Sequence, residues 1–223
     1  MNPRLARLLS WLVTILTPFL LILLPVRILL TPLTPPIEYR MPGFPADDYG
    51  FTLQDRLRWS DYSLRYLLNN AGIDYLGRLQ FDDGTPVFNP RELSHMHDVK
   101  GVVQGALKTL YATVVILLGL GLYAWFGKWK ASYLRGLSRG GWLTVGLIGV
   151  LGIFAATSFW NFFTVFHEIF FTGDSWLFYY SDTLIRLFPL RFWQDIFLFA
   201  LGFSLIGALL LGLLLKPRVA DGV

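Results

Sequence analysis

The sequence predicts an all-α membrane protein with four transmembrane helices. Three observations carry that reading: 54% hydrophobic residues beside 15% charged, a mean hydropathy of +0.52, and four apolar stretches of bilayer length. A hydrocarbon core of roughly 30 Å takes about 20 apolar residues per helix, and residues 8–30, 103–126, 141–166 and 194–215 meet that length. The chain reads as one membrane domain, 1–223. It has an outer subdomain at 31–100, built of an amphipathic helix and a small hairpin between the first and second spans, and a second outer segment at 167–193. Composition excludes other classes. With no Cys there is no disulfide framework, thiol nucleophile or cysteine metal site, and 19 Phe, 8 Trp and 10 Tyr oppose disorder. The net charge of +4 points to membrane phospholipid rather than nucleic acid as the anionic partner.

Arg4 and Arg7 precede the first apolar run, but Leu29-Leu30-Thr31-Pro32 offers no small-x-small cleavage site, so the run is a retained helix, kinked at Pro18 and Pro25. Pro32, Pro35, Pro36, Pro42 and Pro45 then predict an extended connector. Thr52 with Asp55 three residues on makes a capping box, opening a helix over 53–69 whose Trp59, Tyr62 and Tyr66 suit the headgroup region. Gln80 to Phe88 reads as two short strands about an Asp-Gly turn, and Asp47-Asp48 and Asp82-Asp83 as solvated pairs. Asn89-Pro90-Arg91-Glu92 is a strong helix start, and nothing breaks that helix before Trp125, so the second span begins as a stalk outside the membrane. Gly146, Gly149 and Gly152, then Gly202, Gly207 and Gly212, let the last two spans approach their neighbours. Ser181-Asp182 starts a short helix to Phe188, while Trp176, Tyr179, Tyr180 and Trp193 read as an interfacial belt.

Orientation follows from basic residues in the short segments. Arg4 and Arg7, then Lys128, Lys130, Arg135 and Arg139, then Lys216 and Arg218 place both termini in the cytoplasm. Residues 31–100 and 167–193, which carry nearly every acidic residue, then face outward.

The three histidines, His95, His97 and His167, all fall at the outer ends of the second and third spans. On a helix, Glu92 and Asp98 lie three residues either side of His95 on nearly the same face, while His97 points about 160° away. Carboxylates so placed fix an imidazole's tautomer and raise its pKa. Trp160, Thr164, His167 and Phe171 share a face, with Asp174 following at heptad distance. An imidazole near a bilayer with an acidic neighbour is a functional candidate. Three other readings stand beside it: amphipathic anchors; a metal site drawn from His95, His97, Asp98, His167 and Glu168; and haem held between His95 and His167. His95 and His97 cannot share a metal on a regular helix. No Gly-x-Ser-x-Gly elbow or Cys supplies an acyl-enzyme nucleophile.

Glu92-Leu93-Ser94-His95-Met96-His97-Asp98-Val99-Lys100 and Phe166-His167-Glu168-Ile169-Phe170-Phe171-Thr172-Gly173-Asp174-Ser175-Trp176 resemble the two signatures of the bacterial lipoprotein intramolecular transacylase (Lit) family, and Asp182 to Asp195 resembles its third block. The resemblance implies an acyltransferase of the cell membrane that needs no cofactor or metal. It would move the sn-2 acyl chain of a diacylglyceryl-cysteine lipoprotein to the α-amine of its N-terminal cysteine, leaving the lyso-form. The family's two functional histidines map onto His95 and His167, and His97 falls at a variable position. Glu92, Asp98, Lys100, Asp174 and Trp176 are supporting or substrate-binding candidates. His167 is the favoured base, with His95 a protonated electrophile between Glu92 and Asp98. The partners implied are the diacylated lipoprotein and membrane lipid, with no nucleic acid. A haem or metal redox bundle and a non-catalytic membrane scaffold are the competing classes.

Overall fold

The computed structural model describes residues 2–215; Lys216 and Arg218, used above for orientation, lie outside them. Among the described residues the secondary structure is helical: α1 (Pro3–Leu29), α2 (Thr34–Glu38), α3 (Leu53–Leu68), α4 (Asp74–Gly77), α5 (Pro90–Phe126), α6 (Lys130–Thr157), α7 (Phe159–Phe170), α8 (Thr183–Leu187) and α9 (Leu190–Leu214). Four of them, α1, α5, α6 and α9, are long and apolar enough to cross a membrane. The third span is corrected by this. Its helix covers 130–157, and the apolar stretch is cut at Ser158, which takes an extended backbone (φ −160°, ψ 98°) and accepts the Asn161 N–H to cap a separate helix, α7.

The chain forms two compact units: 1–27, 107–157 and 199–223 in the first, 28–106 and 158–198 in the second. In the first unit α1 runs helically through Pro18 and Pro25. Close approach also occurs at glycines that the sequence does not single out. A Cβ at Gly141 would stand 2.6 Å from the Ala208 carbonyl oxygen and 2.9 Å from the Gly212 nitrogen, and one at Gly136 2.7 Å from the Ser10 carbonyl oxygen, whereas Gly146, Gly149, Gly152 and Gly202 face open space. Gly207 and Gly212 do meet Leu21 and Trp142. Backbone atoms cannot yield as a flexible side chain can. Gly141→Ala is therefore expected to lower stability by about 1–3 kcal/mol in detergent melts, and Gly146→Ala to leave it unchanged or slightly raised.

The second unit is built around Trp59, Tyr66, Leu76, Val87, Met96 and Leu187. The α3 capping box forms as the sequence predicts, with the Thr52 hydroxyl accepting the Asp55 N–H and the Asp55 carboxylate accepting the Thr52 N–H. Its aromatic residues do not face a headgroup layer, because Trp59 and Tyr66 are buried in this core. The connector holds a short helix, α2, since Pro35 sits in its first turn, where no backbone donor is missed. The hairpin is reduced to one antiparallel bridge, Gln80 with Pro86, around Gly84 at φ +83°. Pro86 has no N–H with which to extend the ladder. Asp47 is not solvated: its carboxylate is buried and meets the Arg186 guanidinium at 2.9 Å. Arg56 adds bonds to the carbonyls of Pro45 and Arg186, and Tyr39 one to that of Leu187, fastening segment 39–56 to α8.

Two buried carboxyls shape the pH response of this unit. Glu38, 1% exposed, lies against Asp195, and burial followed by that neighbour lifts its pKa to about 7. Burial raises Glu92 to about 7 as well. Because the folded pKa exceeds the ordinary 4.5, the stability these groups contribute is complete below that value and is lost progressively as pH rises towards about 7. Glu38→Gln is expected to flatten its share of this decline in melting temperature measured from pH 4 to 8.

Candidate active site

His95 reaches its place through a local start signal. Asn89 and Glu92 cap α5 reciprocally: the Asn89 side chain accepts the Glu92 N–H at 3.0 Å and the Glu92 carboxylate accepts the Asn89 N–H at 2.8 Å. One turn on, His95 is buried in the polar-rich part of α5 that precedes the apolar run 103–126. His167 stands in the last turn of α7, also buried. The two imidazoles lie 6.1 Å apart, centroid to centroid, at an interplanar angle of 23°. Aromatic rings wall them in. Phe171 is 4.9 Å from His95 and 5.5 Å from His167; Phe178 is 5.3 Å from His95; Phe163 and Trp176 are 4.1 and 4.7 Å from His167.

Electrostatics follow from those walls. Nδ1 of His167 lies 2.7 Å from the Phe163 carbonyl oxygen, which can only accept, so Nδ1 carries the proton and Nε2 holds the lone pair. Burial lowers the His167 pKa, opposed by that backbone bond. Burial, and secondarily the neighbouring His167, pushes His95 down to about 4. Both rings are thus neutral at pH 7.

This corrects the carboxylate flanking expected of His95. Glu92 turns instead to the Asn89 N–H and, across the fold, to the Leu184 N–H at 2.7 Å, capping α8 in place of the Asp182 side chain, which accepts from Tyr179 N–H and the Asn89 amide. Asp98 is exposed and makes no hydrogen bond to His95. Lys100 is spent on the end of α3, donating to the Asn69 side chain and the Ala71 carbonyl with its ammonium 4.0 Å from the Tyr66 ring centroid. Asp174 pairs with Arg91 at 3.1 Å, fixing the loop after α7 to the first turn of α5. Trp176 does reach the site and is buried there, Trp193 is half-buried against Phe163, and Tyr179 and Tyr180, about 80% exposed, stay on the surface. His97, as its helical angle predicts, points away from the imidazole pair. It lines a cleft of about 400 Å³ with Asp98, Gly101, Val102, Phe170, Phe171 and Thr172. Among the described residues no three His, Asp or Glu side chains converge as metal ligands. Phe163 and Phe178 escaped the sequence reading because nothing in an aromatic-rich run marks which ring will meet an imidazole.

The model of the lipoprotein intramolecular transacylase Lit family matches residues 11–193. The chain belongs to the Lit family. It is an acyltransferase and a multi-pass membrane protein. An uncharacterized protein of Aquifex aeolicus (strain VF5) is 28% identical over 196 residues, covering 85% of this chain and 84% of that one. The solved structure of Lit from Bacillus cereus shares the fold, with a TM-score of 0.73 at 22% identity over 94% of both chains. Structures of two variants of that protein, with one histidine replaced by arginine or alanine, match with TM-scores of 0.67. The Lit match spans both histidine motifs and ends at Trp193, within the third block of the resemblance.

Proposed function

We propose that this chain moves the sn-2 acyl chain of a diacylglyceryl-cysteine lipoprotein to the α-amine of the same cysteine, leaving a lyso-form lipoprotein. Amine and ester belong to one substrate molecule, so holding them in attack geometry supplies several kcal/mol without an acyl-enzyme. His167 is the general base: its Nδ1–H is committed to the Phe163 carbonyl, and its Nε2 is free to take the ammonium proton. That single contact carries the assignment. The amine nitrogen then attacks the ester carbonyl, the carbon–oxygen bond to glycerol breaks as the proton held on His167 passes to the departing sn-2 alkoxide, and the freed Nε2 takes the second proton from the acylated nitrogen and releases it to solvent, leaving a neutral amide. His95, neutral rather than protonated, donates its ring N–H to the ester oxygen as negative charge develops there. Phe163, Phe171, Phe178 and Trp176 exclude water, which favours aminolysis over ester hydrolysis. Glu92 and Asp174 position the elements, and Lys100 supports α3.

Arg4 and Arg7 near the start of α1, Lys128 between α5 and α6, and Lys130, Arg135 and Arg139 in the first part of α6 support a cytoplasmic-membrane protein with both termini inside and the histidine pair on the outer face. The substrate partners are then the diacylated lipoprotein and membrane lipid. Mass spectrometry of the N-terminal lipopeptide of a reporter lipoprotein tests the reading. The transfer is an isomerisation, so the parent mass is unchanged and the fragment ions decide. N-acyl-cysteine bearing a lyso-glyceryl thioether is the expected product; an unmoved acyl chain with folded protein and competent substrate overturns the proposal.

A further inference from the structure

We propose that the carboxylate of Asp98 receives the α-ammonium of the lipoprotein's N-terminal cysteine, in the cleft that Asp98 shares with Phe171, and so sets that nitrogen beside the imidazole pair before transfer. This rests on the transacylase reading and names the group that recognises the amine. Four other acids around the site are occupied, Glu92 by backbone N–H groups, Asp174 by Arg91, Asp182 by Asn89 and the Tyr179 N–H, and Asp195 by Arg191, and Glu168, next to His167, is exposed but does not line the cleft. Asp98 is exposed, lines the cleft beside His97, the other titratable side chain there, and has no hydrogen bond or ion pair among the described residues. Phe171, which lines the same cleft, packs against both imidazoles, so a cation held at Asp98 lies one ring away from the pair. Phe170 and Phe171 add aromatic faces that attract a cation, and Thr172 a hydroxyl. An α-ammonium titrates near 8, so most of the substrate arrives positively charged at neutral pH. Asp98 is therefore a binding group, not a proton carrier: the proton leaves for His167 Nε2, and Asp98 stays ionised throughout.

The test uses the full chain in detergent with a synthetic diacylglyceryl-cysteine lipopeptide. Asp98→Asn is expected to raise KM about tenfold with kcat kept within about threefold, and Asp98→Glu to restore KM. A carboxylate beside an ammonium raises its pKa, so the rising limb of kcat against pH should move to lower pH in Asp98→Asn. The N-acetyl lipopeptide, which has no cation, should inhibit wild type and Asp98→Asn with the same Ki. Asp82→Asn, on the turn at Gly84, is the charge control and should change none of these. An unchanged KM in Asp98→Asn, or an N-acetyl Ki that moves with KM, overturns the role of Asp98 while leaving the transacylase reading intact. Absence of N-acyl product from wild type overturns both.

Discussion

His167→Ala is expected to lose acyl transfer almost completely, a fall of about 10³-fold or more, while His95→Gln keeps a measurable rate within about 10²-fold of wild type. The asymmetry follows from what each ring supplies. His167 offers a basic nitrogen whose tautomer is fixed by the Phe163 carbonyl, whereas the Nδ1 of His95 has no hydrogen-bond partner among the described residues to fix its tautomer. His95 offers an N–H donor from a ring kept neutral by Phe171 and Phe178, and a glutamine amide can donate from nearly the same place. Single-turnover rates on a lipopeptide measure both. Equal residual rates for the two variants contradict the division of labour. A His95→Gln enzyme as inactive as His167→Ala would mean that proton transfer, not hydrogen bonding, is the duty of both rings.

The largest effect on stability is expected at Glu92. This carboxylate is 1% exposed and accepts the Asn89 N–H from its own helix start and the Leu184 N–H from α8. Alanine leaves the buried Leu184 N–H and the half-buried Asn89 N–H without this partner and opens a void, at a cost of about 3–5 kcal/mol; an orphaned buried donor alone is worth about 1–3. Glutamine keeps an acceptor oxygen for one of the two and should cost about half as much. Denaturant unfolding in detergent, followed by tryptophan fluorescence, separates the two variants. If Glu92→Ala melts with wild type, the carboxylate is not what joins the start of α5 to α8.

What could be read from the sequence were features whose cause lies within a few residues. The capping pairs Thr52 with Asp55 and Asn89 with Glu92 act over three positions, and the apolar runs that become α1, α5, α6 and α9 need only a count. The histidine pair was legible from its motifs. What failed depended on distant partners. Helical spacing assigns Glu92 to His95, yet its second acceptor bond goes to a residue 92 positions on. The same misassignment reversed the expected charge of His95, because the sign is set by rings from 171 and 178 that no local pattern predicts. The cut at Ser158 has no strong local signal, since the surrounding residues are apolar on both sides and one serine is a weak breaker. Glu38 sits within a proline-rich segment, where nothing announces that a carboxyl will meet Asp195.

The bond from His167 to the Phe163 carbonyl has an evolutionary consequence. Many enzymes orient a histidine with a carboxylate, and the two side chains must then be retained together. Here the orienting atom belongs to the main chain four residues back, so any residue at 163 that continues the helix supplies it. The lineage can alter the ring packed against the imidazole, and with it the shape offered to acyl chains, without disturbing the proton-accepting nitrogen. The apolar enclosure is also spared a second charge. One turn of α7 is a self-sufficient device, free to be carried through large changes in the rest of the sequence.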